Sequence, residues 1–122
     1  MFWARLTRGK DVWKLGVYLN PGTRAFEISL NSKIYVDKSG LIEKTNALIG
    51  TQQQFVCVSR PRRFGKSMAA EMLASYYDRS VDSSEIFDKL NISSAESYRE
   101  HLNKYDVIRI NMQDFLSISG SI

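Results

Sequence analysis

The feature that most constrains this chain is a basic loop placed between an apolar run and a helix-forming stretch. Residues 55–59 are Phe-Val-Cys-Val-Ser, which favours a buried β-strand because β-branched and aromatic side chains suit a covered, pleated surface. The loop ends in Gly65, Lys66 and Ser67, and residues 68–73 favour a helix. A phosphate-binding loop requires this order of strand, loop, Gly-Lys-Ser and helix, because backbone N–H groups and a helix N-terminus then surround a phosphate.

The residue types in the loop predict how it would hold a nucleotide. Lys66 can reach the outer phosphates, and the Ser67 hydroxyl can hold Mg²⁺. The common pattern has a glycine where this chain has Arg60, but Pro61 fixes its own φ and can pre-shape the loop. Proline offers no N–H, so the phosphate donors must come from later residues. We predict that the nucleotide is bound by Arg63, Phe64, Gly65, Lys66 and Ser67, with Ser67 as the metal ligand.

The loop also resembles the signature of a known family. Residues 60–67 (Arg-Pro-Arg-Arg-Phe-Gly-Lys-Ser) look like the phosphate loop of the predicted AAA-ATPase-like family, in which arginine stands in place of the glycine. Three further blocks are similar to that family and follow its order: residues 34–42, which contain Tyr-Val-Asp-Lys-Ser, residues 86–92 and residues 105–110. The resemblance implies binding of ATP and Mg²⁺ as cofactors.

The same resemblance implies an α/β fold, an incomplete P-loop NTPase-type core with a short parallel sheet flanked by helices. Family members are longer and carry the rest of the ATPase core, a helical lid and often a C-terminal nuclease-like domain of the PD-(D/E)xK type. We therefore expect residues 15–122 to be the N-terminal part of such a domain, truncated before the Walker B strand. Residues 1–14 are expected to be a disordered N-terminal segment.

Periodicity predicts strands at residues 34–36, 55–59 and 107–112, the last two parallel because a long helical connection joins them. Alternation alone favours a strand at residues 26–30 as well, whereas the resemblance implies a short helix there. Cys57, the only cysteine, is predicted to be buried within its strand.

Helical spacing predicts a helix over residues 41–49 that stops at Gly50. It also predicts a helix after Ser67 with a buried stripe that includes Met72 and Tyr76. Two capping boxes predict later helices, one after residues 82–85 and one after residues 93–96.

Charge is concentrated in two places. The chain has 17 basic and 13 acidic residues and a net charge of +4. Residues 60–67 carry +4 and residues 1–14 carry +3, so all other residues together carry −3. A nucleotide is the expected partner of the loop. The alternative is a non-enzymatic fragment whose basic loop binds nucleic-acid backbone or another anion. A further alternative, which the order of strand, loop and helix makes less favoured, is an ordinary strand-to-helix turn with a solvated basic loop.

Hydrolysis of ATP needs an acidic residue at the end of an apolar strand, to orient Mg²⁺ and water. Asp114 follows residues 107–112, but Arg109 and Asn111 interrupt that apolar run. We therefore predict no catalytic residue, and the sequence leaves open whether the chain is an enzyme.

No apolar run approaches membrane-spanning length and no secretory signal is visible, so we expect a cytoplasmic protein without a membrane partner.

The adjacent residues Asp37 and Lys38 have two possible roles. Asp and Asn side chains commonly hydrogen-bond the backbone of their own turn, which is the local role. The resemblance implies a second role, in which this segment packs near the nucleotide pocket.

Overall fold

The fold is described from a computed structural model of the chain, which describes residues 23–61 and 65–113. The helical elements of these ranges are α1 (Arg24–Leu30), α2 (Gly40–Leu48), α3 (Lys66–Tyr77), α4 (Ser84–Phe87), the 3-10 helix η1 (Asn91–Ser94) and α5 (Tyr98–His101). With 12 residues, α3 is the longest of them. Its C-terminal half lies in the core, and its N-terminus carries the basic loop.

Tyr76, near the end of α3, is the centre of the core and is fully buried. Its ring lies edge-on to that of Phe87 in α4 at 5.4 Å and is 6.1 Å from that of Tyr98 in α5. Its hydroxyl donates to the Tyr98 carbonyl oxygen at 2.7 Å and accepts from the Asn46 amide of α2 at 3.2 Å. Burial removes water from this hydroxyl and raises the pKa of Tyr76 to about 12. The end of α3 is thereby fixed by both packing and hydrogen bonds.

The predicted helices are confirmed. Helix α2 ends just before Gly50, whose φ of 77° is the left-handed conformation that commonly stops a helix. Met72 and Tyr76 are buried on α3, as their spacing predicts. Helix α4 begins at Ser84, inside the first capping box, and α5 begins at Tyr98, after the second, although neither helix has a side-chain hydrogen bond at its N-cap. Residues 24–30 form a helix rather than the strand that alternation alone favours.

The predicted α/β fold with a short parallel sheet is wrong for the described residues, none of which forms a β-strand. Residues 34–36 and 55–59 are exposed or half-exposed coil, and residues 107–110 are also without regular structure. An isolated parallel bridge joins Asp78 to Tyr105. The Tyr105 N–H donates to the Tyr77 carbonyl oxygen at 2.9 Å. The Tyr105 carbonyl oxygen accepts from the Arg79 N–H, also at 2.9 Å.

The physical reason is that a strand depends on its neighbours. Among the described residues, no backbone hydrogen bond joins residues 55–59 to another segment, and Phe55, Val56 and Val58 are all exposed. A β-forming sequence has little preference for a strand without paired backbone and a covered face. Cys57 is exposed for the same reason, so its predicted burial is also wrong.

Some predictions concern residues outside the described ranges. These are the disorder of residues 1–14 and the position of Asp114. In the described part of the chain, no helix combines the length and the apolar character needed to cross a bilayer.

Candidate functional site

Lys66 makes a hydrogen bond to the first residue of the basic loop. The Lys66 ammonium donates to the backbone carbonyl oxygen of Arg60 at 2.6 Å, and so connects the last part of the loop to its first residue. Lys66 remains exposed to solvent. An ammonium has three donors, so this bond leaves Lys66 capacity for further oxygen acceptors. The acceptor is a backbone carbonyl, which any residue at position 60 would supply. The contact is therefore compatible with arginine in place of the usual glycine.

Gly65 turns the chain from the loop into α3. It is the N-cap of the helix and has φ 77° and ψ 25°, in the left-handed region that L side chains rarely adopt. The Ala69 N–H donates to the Gly65 carbonyl oxygen at 2.9 Å, which begins the helical bonding. The first N–H groups of a helix lack intrahelical acceptors, and α3 has no side-chain cap among the described contacts.

The N-terminus of α3 is electrostatically suited to an anion. The first turn contains no acidic residue. The nearest acid along the helix, Glu71, accepts from the Arg109 guanidinium at 3.2 Å, with both side chains largely buried. The helix dipole and Lys66 therefore act at this end without an acid in the same turn to oppose them.

The turn that contains Asp37 and Ser39 is anchored to η1. Asp37 Oδ1 accepts from the Ser39 N–H at 2.8 Å, and Asp37 Oδ2 accepts from the Asn91 N–H at 2.7 Å. The hydroxyl of the fully buried Ser39 accepts from the Ile92 N–H at 3.1 Å. Partial burial raises the pKa of Asp37, but the hydrogen bonds from Asn91 and Ser39 outweigh it, and the net pKa is lowered.

Lys38, between these two anchored residues, reaches the loop. A Cβ at position 65 would lie 3.3 Å from the Nζ of Lys38, so the ammonium is close to the backbone of Gly65. The local role is confirmed for Asp37, whereas the role of this segment beside a nucleotide pocket stays a prediction. Asp37 bonds its own turn, and Lys38 extends from that turn to the loop.

The predicted site residues are only partly described. Gly65, Lys66 and Ser67 lie together at the start of α3, and Ser67 is exposed in its first turn. Arg63 and Phe64 lie outside the described residues. Sequence reasoning missed the Arg60 carbonyl and left the approach of the Lys38 segment as one of two alternatives. A backbone acceptor has no side-chain signal, and the motif around Lys38 gave only an ambiguous one.

Comparison with known proteins identifies the family. A family model described as Predicted AAA-ATPase matches residues 21–120. This is most of the 122 residues, and the chain belongs to the predicted AAA-ATPase family. No curated protein and no solved structure matches the chain. The resemblance that the loop and the three other blocks indicate is therefore confirmed at the level of the family.

Proposed function

We propose that the loop at residues 60–67 binds the phosphates of ATP together with Mg²⁺. The observation that carries this proposal is the bond from Lys66 to the Arg60 carbonyl, which joins residues 60 and 66 at the N-terminus of a helix in a chain of the predicted AAA-ATPase family. Lys66 would donate its remaining N–H groups to the outer phosphates. Gly65 would let the backbone approach them closely.

Ser67 is the proposed protein ligand of Mg²⁺. Its exposed hydroxyl lies in the first turn of α3, one residue after Lys66. The described residues contain no cluster of His, Cys, Asp or Glu able to hold a metal on its own. Mg²⁺ keeps several waters and takes few protein ligands beside substrate phosphates, so the proposal asks only the Ser67 hydroxyl of this part of the chain. When bound, Mg²⁺ would neutralise phosphate charge.

The test is calorimetric titration of the whole chain with ATP in the presence of Mg²⁺. Lys66→Ala should weaken binding about 10- to 150-fold, because a charge-assisted hydrogen bond contributes roughly 1.5–3 kcal/mol. The control is Lys104→Ala, the same change at an exposed residue beyond the opposite end of α3. Lys104→Ala should bind ATP as the parent chain does. Equal affinity in the parent and Lys66→Ala would exclude the loop as the ATP site.

A second titration, with a single-stranded oligonucleotide, tests the alternative that the loop binds nucleic-acid backbone. Binding of that kind weakens steeply as salt increases, since counterions are released from the phosphates. If the oligonucleotide binds in this manner and ATP with Mg²⁺ does not compete, the loop is a general anion site. Competition by ATP at stoichiometric amounts supports the nucleotide site.

A further inference from the structure

Lys38 lies at the loop although it belongs to a different part of the chain. Its Nζ is 3.3 Å from the position that a Cβ at residue 65 would occupy, next to the residue that precedes Lys66. Lys66 follows Gly65 directly in the chain, so Lys38 approaches the proposed phosphate-binding motif from a separate segment.

The backbone on both sides of Lys38 is fixed. Asp37 and Ser39 accept hydrogen bonds from two consecutive N–H groups, those of Asn91 and Ile92. Ser39 is fully buried, whereas Lys38 is exposed. The turn therefore holds an exposed cation between two anchors before any ligand arrives, and this reduces the ordering that binding would otherwise require.

We propose that Lys38 is a second phosphate-binding residue of this site and donates to the same triphosphate as Lys66. The inference rests on the proposed function and extends the site beyond the loop motif. In this arrangement Asp37 and Ser39 are positioning residues, and the ligand class is a nucleoside triphosphate bound mainly through its phosphates. Inorganic tripolyphosphate should therefore occupy the same contacts.

The first experiment titrates Lys38→Met with ATP and Mg²⁺ and, separately, with inorganic tripolyphosphate. Methionine keeps a long apolar stem and removes the charge. We expect affinity to fall about tenfold for both ligands, the effect of losing one charge-assisted hydrogen bond. The control is Lys104→Met, which makes the same change beyond the far end of α3 and should leave both affinities unchanged.

The outcomes separate this inference from the proposed function. If Lys66→Ala weakens binding but Lys38→Met equals the parent chain, Lys38 has no phosphate role and the proposed function stands. A loss confined to ATP, with tripolyphosphate unaffected, would overturn the phosphate role of Lys38. If the parent chain binds neither ligand, the proposed function fails, and the role of Lys38 fails with it.

A second experiment needs no substitution and so does not depend on a variant folding. An acyl-phosphate derivative of ATP transfers its acyl group to a nearby lysine, whose amine forms an amide as ATP leaves. Mass spectrometry of the digested chain should find Lys38 and Lys66 labelled, with both protected by excess ATP and Mg²⁺. Labelling of Lys66 without Lys38, or labelling of Lys38 that ATP does not reduce, contradicts the proposal.

Discussion

Gly65 is constrained both by its backbone conformation and by its neighbour in the candidate site, Lys38. Its φ of 77° favours glycine, and a Cβ there would also press on the Lys38 ammonium at 3.3 Å. A contact of that length requires the lysine to move by a few tenths of an ångström. Gly50 has the same φ, but a Cβ at position 50 would meet no atom within 4 Å. The two glycines therefore share a backbone conformation that would strain any other residue, and they differ in their surroundings.

Gly65→Ala and Gly50→Ala make a matched pair for this reason. Each should lower the free energy of unfolding by about 1 kcal/mol, the cost of a left-handed alanine. Only Gly65→Ala should also weaken ATP binding, by roughly tenfold, because its methyl group displaces Lys38 and occupies space next to the proposed phosphates. Urea unfolding and calorimetry measure the two effects. Equal ATP affinity in both variants would show that the space at Gly65 has no part in binding.

At the level of single residues, the sequence predicted the site residues that are adjacent in the chain. It did not establish which distant residue folding brings next to them. Gly65, Lys66 and Ser67 form one motif, so the spacing alone predicts that they share the start of a helix. Lys38 reaches them because two N–H groups of η1 donate to the residues on either side of it, Asp37 and Ser39. No local pattern contains that pairing. Their roles in binding stay predictions that the titrations above will test.

Among the elements, α3 connects the candidate site to the core. Its first turn carries Lys66 and Ser67, and its last turn ends in Tyr77, which is buried. The Tyr77 hydroxyl donates to Asn46 Oδ1 of α2 at 2.7 Å and lies 2.6 Å from Thr45 Oγ1. Burial raises the pKa of Tyr77, and a hydrogen bond from Thr45 only partly offsets this. The position of α3 therefore depends on a buried polar network.

Replacing Tyr77 with Phe tests that network. The change removes the donor to Asn46 Oδ1 and leaves this buried oxygen without its partner, which should cost about 1–3 kcal/mol of unfolding free energy. Tyr98→Phe is the control. The Tyr98 hydroxyl donates to Asp88 Oδ1, but Asp88 is exposed and is also paired with Arg99 at 2.9 Å. Its loss should cost about 0.5 kcal/mol. Equal destabilisation in urea would contradict a special role for Tyr77.

The contrast between the helices and the predicted strands has one physical cause. Helix α2 satisfies its own backbone groups and needs only an apolar stripe and a stop at Gly50, all of which local sequence contains. Residues 55–59 have strong strand-forming side chains but must find partners elsewhere in the chain. None of the described segments supplies those partners. Periodicity thus predicted the helices correctly. It predicted a sheet wrongly, because it contains no information on which segments pair.

For the molecule as a whole, the absence of the predicted sheet from the described residues places two valines in opposite environments. Val58 is 53% exposed in the coil before the loop, whereas Val107 is 2% exposed and belongs to the core. The predicted parallel sheet would have buried both. Phe55 and Val56 lie beside Val58 and are exposed as well, so residues 55–58 present an apolar, β-forming surface. Surfaces of this kind favour aggregation.

The same substitution at these two valines tests the fold directly. Val58→Lys should change the free energy of unfolding by less than about 0.5 kcal/mol, since it alters an exposed side chain. It should also reduce aggregation, because a charge interrupts the apolar surface. Val107→Lys should cost on the order of 3 kcal/mol, because it places an unpaired charge in the core. Urea unfolding measures the first effect of each variant, and light scattering at rising concentration measures aggregation. If the two variants are destabilised alike, residues 55–59 are covered in solution, and the arrangement described here is wrong at the segment that leads into the candidate site.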